Sequence, residues 1–558
     1  MSPIAHLTKH ISKVKSTLQT KLGANTSIII LSILIAFFID RSEILHDAIK
    51  GNICIISNIP YILCSLCIFC SFWFTCLQLV RRSKVFAYLI FPIISLIQFT
   101  IYYGETRYGA ELEELTVAIL NTTATEAGNY VNLRSSALFL FFIITVTFGV
   151  YIFRKLYAIN RSTISHIFFH LLTIGTLFII PHTIKLTAPS LAAYSVKPII
   201  EKHPHYLYMP TVRSEHEVTH SLINDDTQHN CFYKMYQPIR KTELFIKAIT
   251  SYYNPPQLIN SATISSHRTW ESCDESIVLY IGESFRADHS PMNGYSRNTL
   301  PLLSKETNII NLQNMHSDAT HTIASVYSLL TTSLGNRAQP THTSFIDIFN
   351  KHNYKSVLVV GKNTEGQWYN TPLISPILRE QAPLYSRPAS PNEYKETIAT
   401  ILRTHKGSKF ILMEDGAGHM PYNSTSTPFG TSRSIDKYDN AILDIDATVH
   451  AVIESLKSSS AIMIFTSDHG ESFGEHGRHG HGGASTAKEQ THVCAFIWYS
   501  DAYATQHPEV INALRANAPR FTTFEHIYHT IISMGGIASD IQVPELDMTI
   551  APSDGSDN

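Results

Sequence analysis

The sequence has almost no net charge, and this lack of a basic excess excludes one large class of function. Its 43 Lys and Arg nearly balance its 45 Asp and Glu, so the formal net charge is -2 at pH 7 and the pI is about 7.0. A nucleic-acid-binding domain usually carries a clear basic excess, so we expect no nucleic-acid partner. The mean hydropathy of +0.01 reflects apolar residues that crowd into the first third of the chain.

Cysteine is scarce outside one apolar stretch. Five of the eight cysteines lie between Cys54 and Cys76, where they act as small apolar residues. Only Cys231, Cys273 and Cys494 lie further along the chain. At most one disulfide can form among these three, so a disulfide framework is excluded. Whether any of them pair stays open.

The first 185 residues contain five apolar segments of about the length needed to cross a bilayer. A spanning helix needs ~20 mostly apolar residues, with a range of about 17–25. Buried core helices or a cleaved signal peptide would account less well for five successive apolar segments separated by polar breaks. We therefore predict an α-helical membrane domain of five spans over residues 1–185. The segments are Leu22–Ile39, Ile53–Val80, Val85–Tyr103, Ala137–Phe153 and Ile164–Ile184.

The basic residues around these segments predict the orientation of the chain in the membrane. Four lysines and no acid precede the first segment, and the loops RRSK (81–84) and RKLYAINR (154–161) are basic. Basic loops tend to stay in the cytoplasm, so the N-terminus is predicted to be cytoplasmic. Five spans then place everything after the last segment on the opposite side of the membrane.

From Glu275 onward, short apolar runs alternate with helical stretches, which is typical of an α/β domain. Residues 186–270 are predicted to be a linker with membrane-surface helices, and residues 271–558 the outer domain. Continuous apolar runs indicate a mainly parallel central sheet covered on both faces, and a long amphipathic helix is predicted from Ile435 to Leu456. The predicted strands are Ser276–Gly282, Lys355–Gly361, Lys409–Glu414, Ala461–Ser467 and Val493–Ser500.

Polar side chains follow three of these strands. Glu283 comes after the first strand, His419 lies just beyond the third, and Asp468 and His469 follow the fourth. In an open α/β sheet, ligands bind outside the carboxyl ends of the strands, so these side chains should converge. Two oxygen ligands and one nitrogen suit Zn²⁺ or Mn²⁺ and leave a position open for chemistry.

A hydroxyl-rich segment, HSDATHTIASVYSLLTTSLG (316–335), offers a residue for that position. Thr320 and Thr322 stand where a helix is predicted to begin. Free N–H groups at a helix N-terminus bind phosphate, and a metal ion can turn a nearby hydroxyl into a nucleophile. The alternative is a threonine that only caps the helix, and the segment alone leaves both readings open.

Four motifs in order resemble the bacterial phosphoethanolamine transferases of the alkaline phosphatase/sulfatase superfamily. They are YIGESFRADHSPMNGYSRNTLP (280–301), YDNAILDID (438–446), SDHGESFGEHGRHGHG (467–482) and AKEQTHV (487–493). The resemblance implies an alkaline-phosphatase/sulfatase-like outer domain in the periplasm of a bacterium, anchored in the inner membrane. One departure is Asp318-Ala319, where many members of the family have Cys-Gly.

The resemblance also implies roles for individual residues. The metal ligands would be Glu283, Thr320, Asp468 and His469, holding Zn²⁺ with Mn²⁺ as the alternative and with room for a second ion. Thr320 would be the catalytic nucleophile, aided by His419 and His481. The substrate-binding residues would be Thr122 and Glu126 in the loop LNTTATEAGNY (120–130), with His419, His481 and His492; His476 and His479 have no matched role.

The implied function is transfer of phosphoethanolamine from phosphatidylethanolamine, through a phosphoethanolamine-threonine, to an envelope acceptor such as lipid A or the lipopolysaccharide core. A modified lipid A would lose negative charge and attract cationic antimicrobial peptides less. The enzyme is expected to be a monomer. A phosphoglycerol transferase that uses phosphatidylglycerol and a non-catalytic membrane sensor remain open as alternatives.

Overall fold

The computed structural model describes parts of two compact units of the chain. The predicted linker 186–270 lies almost wholly outside the described residues. The described residues are 28–32, 73–93, 95–96, 133–156, 250, 260–271, 274–331, 343–362, 368–372, 374–475, 479–482 and 487–552.

The N-terminal unit is helical wherever it is described. Residues 73–93 are almost entirely helical and include a π-helical turn, Phe86–Ile90, and helix α1 runs from Leu133 to Leu156. A small apolar core joins these helices through Leu77, Val80 and Val150. No helix among the described residues is both long enough and apolar enough to cross a membrane. The number of spans therefore stays a prediction.

The C-terminal unit contains a central seven-stranded sheet in the order β3-β11-β8-β2-β7-β5-β6. All five predicted strands form, and the short edge strands β3 and β6 were not predicted. The sheet is mixed, because β11 runs antiparallel to both of its neighbours while the other pairs are parallel. The strands are β1 Ser266–Arg268, β2 Ser276–Gly282, β3 Ile309–Asn311, β4 Met315–His316, β5 Lys355–Val360, β6 Leu384–Ser386, β7 Lys409–Asp415, β8 Ala461–Ser467, β9 Ser472–Phe473, β10 His479–Gly480, β11 Ala495–Tyr499, β12 Thr522–Thr523 and β13 Ile537–Ser539.

Helices cover both faces of this sheet, which explains why its central strands are mostly apolar on both faces. Successive residues of a strand point to opposite faces: Leu279 of β2 joins one buried core, and Tyr280 joins the other. Helices α5 and α6 pack in the second core, and α2, α3 and α10 pack in the first. The helices of this unit are α2 Thr322–Leu330, α3 Phe345–Lys351, α4 Ser375–Gln381, α5 Pro391–Thr404, α6 Ser434–Leu456, α7 Lys488–Thr491, α8 Asp501–Gln506, α9 Pro508–Asn517 and α10 Phe524–Met534.

The register of the central strands brings three chain segments to the same edge. Gly282 at the end of β2 is paired with Asp415 at the end of β7 and with Ser467 at the end of β8. The residues that follow these three positions therefore leave the sheet side by side.

A buried carboxylate anchors the loop after β2 to helix α6. Asp439 is fully buried and accepts hydrogen bonds from His289 Nδ1 (2.7 Å), Tyr295 Oη (2.8 Å) and Arg297 Nη1 (2.7 Å). Each donor comes from residues 289–297, so one side chain of α6 gathers three side chains of that loop. A buried carboxylate with three donors exchanges its lost hydration for hydrogen bonds.

We expect Asp439→Asn to loosen this loop. The change weakens hydrogen bonds to a buried charge, which are worth about 1.5–3 kcal/mol each, while Arg297 keeps Asp436 as a partner at 2.8 Å. Hydrogen-exchange mass spectrometry of the full chain should show a fall of that order in the opening free energy of residues 284–301 and of α6. The exposed Glu396→Gln on α5 is the matched control. Equal exchange in the two variants would contradict the anchoring role.

Candidate metal centre

Three sequence-predicted ligands meet at the edge of the sheet. The ligand atoms of Glu283, Asp468 and His469 all lie within 4.8 Å of one another, and all three residues are buried. His469 Nε2 lies 3.2 Å from Asp468 Oδ2 and 3.5 Å from Glu283 Oε1. The structure therefore brings together residues that are nearly two hundred positions apart in the sequence.

Asp468 shows why this cluster fits a cation. Its Oδ1 accepts the backbone N–H groups of Ser284 (3.0 Å) and His469 (2.7 Å). Its Oδ2 is buried and makes no hydrogen bond within the described part of the chain. Burial, and then the neighbouring Glu283 carboxylate, raise the pKa of Asp468 well above its usual value. A divalent cation would neutralise this pair and satisfy the remaining oxygen.

His469 is oriented as a metal ligand. Its Nδ1–H donates to the carbonyl oxygen of Gly470 at 2.9 Å, which leaves the lone pair of Nε2 directed at the two carboxylates. Burial, followed by the nearby His481, lowers the pKa of His469 well below its usual value. The ring is therefore neutral, which is the form that binds a metal.

Helix α2 begins where the sequence predicted, but neither threonine caps it. The N-cap is His321, whose side chain accepts the N–H of Ala324. Thr320 is 1% exposed, and its carbonyl oxygen accepts the N–H of Gly482 at 2.6 Å. Its backbone is thus attached to the loop that carries His481, and its side chain is not needed as a cap.

Two further contacts hold the Thr320 segment against the metal ligands. Ser317 Oγ donates to the carbonyl oxygen of Asp468 at 2.6 Å, and Thr322 Oγ1 lies 3.3 Å from His469 Nε2. Asp318, which stands at a position of departure from the family, accepts a hydrogen bond from Ser328 Oγ of α2 at 2.8 Å. Burial raises the pKa of Asp318 to about 7.

His419 and His481 lie beside the cluster. The ring centroid of His481 is 4.3 Å from that of His469 and 5.4 Å from that of His419. His419 Nδ1 donates to the carbonyl oxygen of Met420 at 2.7 Å. The loop before it passes so close to Glu283 that a Cβ at Gly418 would lie 1.9 Å from the Glu283 carbonyl oxygen. Only glycine allows this approach.

Sequence reasoning missed Glu471. This residue is fully buried, and its Oε2 lies 3.2 Å from His481 Nδ1. Burial alone would lower the pKa of His481, but the Glu471 carboxylate raises it. The sequence carried one signal for Glu471, which is that it lies three residues after Asp468 in the same motif.

Sequence reasoning also missed the residues that fix the Glu283 loop. Tyr438 Oη of α6 donates to the Ser284 carbonyl oxygen (2.6 Å) and accepts the Arg286 N–H (2.9 Å). Ser284 has a φ of 56°, a left-handed conformation that is strained for a residue with a side chain. This turn directs the Ser284 N–H at Asp468.

His492 is not part of the Glu283–Asp468–His469 cluster. Its ring stacks on that of His316, with centroids 4.8 Å apart, and its Nε2 donates to the Gln313 carbonyl oxygen at 2.9 Å. Its role in substrate binding stays a prediction. Cys494 is buried and free, and burial raises its pKa to about 12.

Several predicted residues fall outside the described parts of the structure. These are Thr122, Glu126, His476, Cys231 and Cys273; His479 is described only as backbone in β10, which pairs with β9. Their predicted roles stay predictions.

Comparison with known proteins agrees with this architecture. The Sulfatase family model matches residues 275–537. The Kdo(2)-lipid A phosphoethanolamine 7''-transferase of Salmonella typhimurium is 24% identical over 317 residues, which cover 50% of this chain and 55% of that protein. Phosphatidylethanolamine transferase Mcr-2 of Escherichia coli is 25% identical over 334 residues, with 49% of this chain and 60% of that protein covered. The matched region thus spans little more than half the length of these relatives.

One solved structure resembles nearly the whole chain. The integral membrane protein lipooligosaccharide phosphoethanolamine transferase A (EptA) from Neisseria meningitidis superposes with a TM-score of 0.60 at 18% identity, covering 93% of this chain and 97% of that chain. At this identity the likeness shows the fold. Residues 275–537 match the Sulfatase family model, and the resemblance of the chain to the bacterial phosphoethanolamine transferases of the alkaline phosphatase/sulfatase superfamily is confirmed.

Proposed function

We propose that this protein transfers phosphoethanolamine from phosphatidylethanolamine to a glycolipid of the bacterial envelope, with lipid A or the lipopolysaccharide core as the acceptor class. The observation that carries the proposal is the buried Glu283–Asp468–His469 cluster, with ligand atoms within 4.8 Å of one another. The Thr320 segment is hydrogen-bonded against it through Ser317. Relatives named for this transfer support the choice of donor and acceptor.

The donor set of the cluster fits Zn²⁺ better than other common ions. Two carboxylates and one imidazole form a three-ligand zinc site with an open fourth position, which the Thr320 hydroxyl would fill. Mn²⁺ is the alternative, and His419 and His481 offer nitrogen ligands for a second ion. When bound, the ion would act as a Lewis acid and stabilise the alkoxide of Thr320.

The chain's own residues then supply the steps of the reaction. Thr320 Oγ attacks the phosphorus of the donor lipid, the bond to the diacylglycerol oxygen breaks, and that oxygen leaves with a proton as diacylglycerol. An acceptor oxygen next attacks the same phosphorus, and the bond to Thr320 Oγ breaks. His419 and His481 lie where they would hold the phosphoryl oxygens or move the proton, and Glu471 orients His481.

We also propose that the chain is a five-span inner-membrane protein with residues 271–558 in the periplasm. The five apolar segments and the basic loops of the sequence support this topology. A membrane anchor would keep the catalytic domain close to the donor lipid, because that lipid is itself confined to the membrane.

Thr320→Ala should abolish both release of diacylglycerol and transfer, because no nucleophile remains. After incubation of the wild-type protein with phosphatidylethanolamine, peptide mass mapping should show a phosphoethanolamine adduct on Thr320. Phosphatidylglycerol is offered separately, and a phosphoglycerol adduct would identify the other donor. An adduct on Thr322, or none from either lipid, would contradict the proposed mechanism.

Removal of the metal should stop the reaction, and addition of Zn²⁺ should restore it. Asp468→Asn should lose bound metal, measured by elemental mass spectrometry, because it removes a buried ligand. Glu471→Gln is the matched variant: it should keep the metal and still slow transfer by about 10–100-fold, since His481 loses its partner. Full activity after complete chelation would count against the metal centre.

The proposed topology is tested with fusions of green fluorescent protein. This protein fluoresces in the cytoplasm but not after export through the general secretion route. A fusion after residue 160, in a basic loop, should fluoresce, and a fusion at the C-terminus should be dark. Fluorescence from the C-terminal fusion would overturn the predicted orientation.

A further inference from the structure

Three short segments, which carry His316, His492 and Phe521, form one surface of the C-terminal unit. Strand β12 pairs in parallel with β4, so that Thr523 lies opposite His316, and His316 also forms an isolated bridge with His492. Alternate residues of a strand point to opposite faces. Met315 is fully buried in the core, whereas His316 on the other face is partly exposed.

The outward side chains of these segments are rings. The ring of His316 stacks on that of His492, with centroids 4.8 Å apart and planes 10° from parallel. The ring centroid of Phe521 also lies 4.8 Å from that of His316. Phe521 is 39% exposed. We name these three residues the ring surface. His316 and His492 are partly exposed, so the three rings together offer an aromatic surface to solvent.

Positive charge borders the ring surface. Arg520 and Lys488 are both exposed, and Arg520 is adjacent to Phe521 in the chain. Lys488 lies close enough to His316 to contribute, after burial and His492, to the lowered pKa of that imidazole. A shallow depression lies beside Phe521, with Arg520 and Glu545 among its lining residues.

The ring surface is linked directly to the site. His316 precedes Ser317, whose hydroxyl donates to the Asp468 carbonyl oxygen at 2.6 Å. The His492 carbonyl oxygen accepts the N–H of Ala287, in the loop that begins with Glu283. The segments that carry the ring surface are therefore hydrogen-bonded to the segments that carry Asp468 and Glu283.

We propose that the ring surface, with Arg520 and Lys488, binds a phosphorylated sugar ring of the acceptor. Aromatic faces pack against the apolar C–H face of a sugar, the guanidinium of Arg520 pairs with a phosphate, and the Glu545 carboxylate accepts hydroxyl groups. This assignment rests on the proposed function and specifies its second half-reaction. The donor lipid does not use this surface.

The experiment separates the two half-reactions in the full chain in detergent. Diacylglycerol release from phosphatidylethanolamine measures loading of Thr320, and discharge of the loaded protein by increasing lipid A measures the acceptor step. Phe521→Ala and Phe521→Leu should leave loading unchanged and raise the KM for lipid A roughly tenfold. Tyr385→Ala, a side chain of equal exposure (38%) on the edge strand β6, is the matched control and should change neither step.

A second comparison tests the charge. Arg520→Gln should weaken the use of lipid A but not of its dephosphorylated form, because only the phosphate needs the guanidinium. Direct binding of lipid A in detergent, measured by calorimetry, provides a readout that does not need loading. If the wild-type protein fails to load, the proposed function fails, while a weaker affinity of Phe521→Ala for lipid A still supports the ring surface.

Three results would overturn the proposal. Unchanged KM and affinity in all Phe521 and Arg520 variants would show that the acceptor binds elsewhere. Equal slowing of both half-reactions would indicate contact with the donor or with the lipid surface. A fall in thermal stability together with the loss would assign Phe521 a packing role.

Discussion

Two buried carboxylates beside each other are the constraint on which the site depends. Glu283 and Asp468 are 4% and 1% exposed, and like charges so close together in a dry environment oppose ionisation. The raised pKa of Asp468 expresses this opposition. A divalent cation between the two carboxylates would favour their ionised forms, because each carboxylate would be attracted to the cation. The strained turn at Ser284 brings a backbone N–H to the Asp468 carboxylate, and Gly418 allows the loop of His419 to approach the Glu283 main-chain carbonyl.

Hydrogen bonds between loops make the site one unit. Ser317 connects the Thr320 segment to Asp468, Gly482 connects it to the loop of His481, and Tyr438 connects α6 to the Glu283 turn. These contacts join parts of the chain that are far apart in sequence, so the positions of the reactive groups depend on the completed sheet. Catalysis by positioning tolerates little displacement, since an error of 1 Å can cost about 10²-fold in rate.

Local patterns in the sequence predicted most of the sheet and the three metal-ligand candidates. Continuous apolar runs identified β2, β5, β7, β8 and β11, and polar residues after strands identified Glu283, Asp468 and His469. The reversed direction of β11 was beyond this reasoning, because an apolar run covered on both faces reads the same in either direction. Glu471 was missed because one buried carboxylate leaves no periodic signal. The N-cap of α2 is His321, so the threonine cap that the segment left open as an alternative does not form.

The depth of Thr320 bears on why such a site would transfer a group rather than hydrolyse it. Thr320 is 1% exposed and His469 is fully buried, so the phosphorus must react in surroundings that hold little water. In the proposed reaction, water and the acceptor compete for the same phosphothreonine. Water is not held at the proposed ring surface, whereas an acceptor bound there would have its attacking oxygen oriented by its binding energy. Exclusion of water then favours the acceptor further. In the proposed mechanism, transfer over hydrolysis thus follows from the burial of Thr320 combined with the proposed acceptor surface.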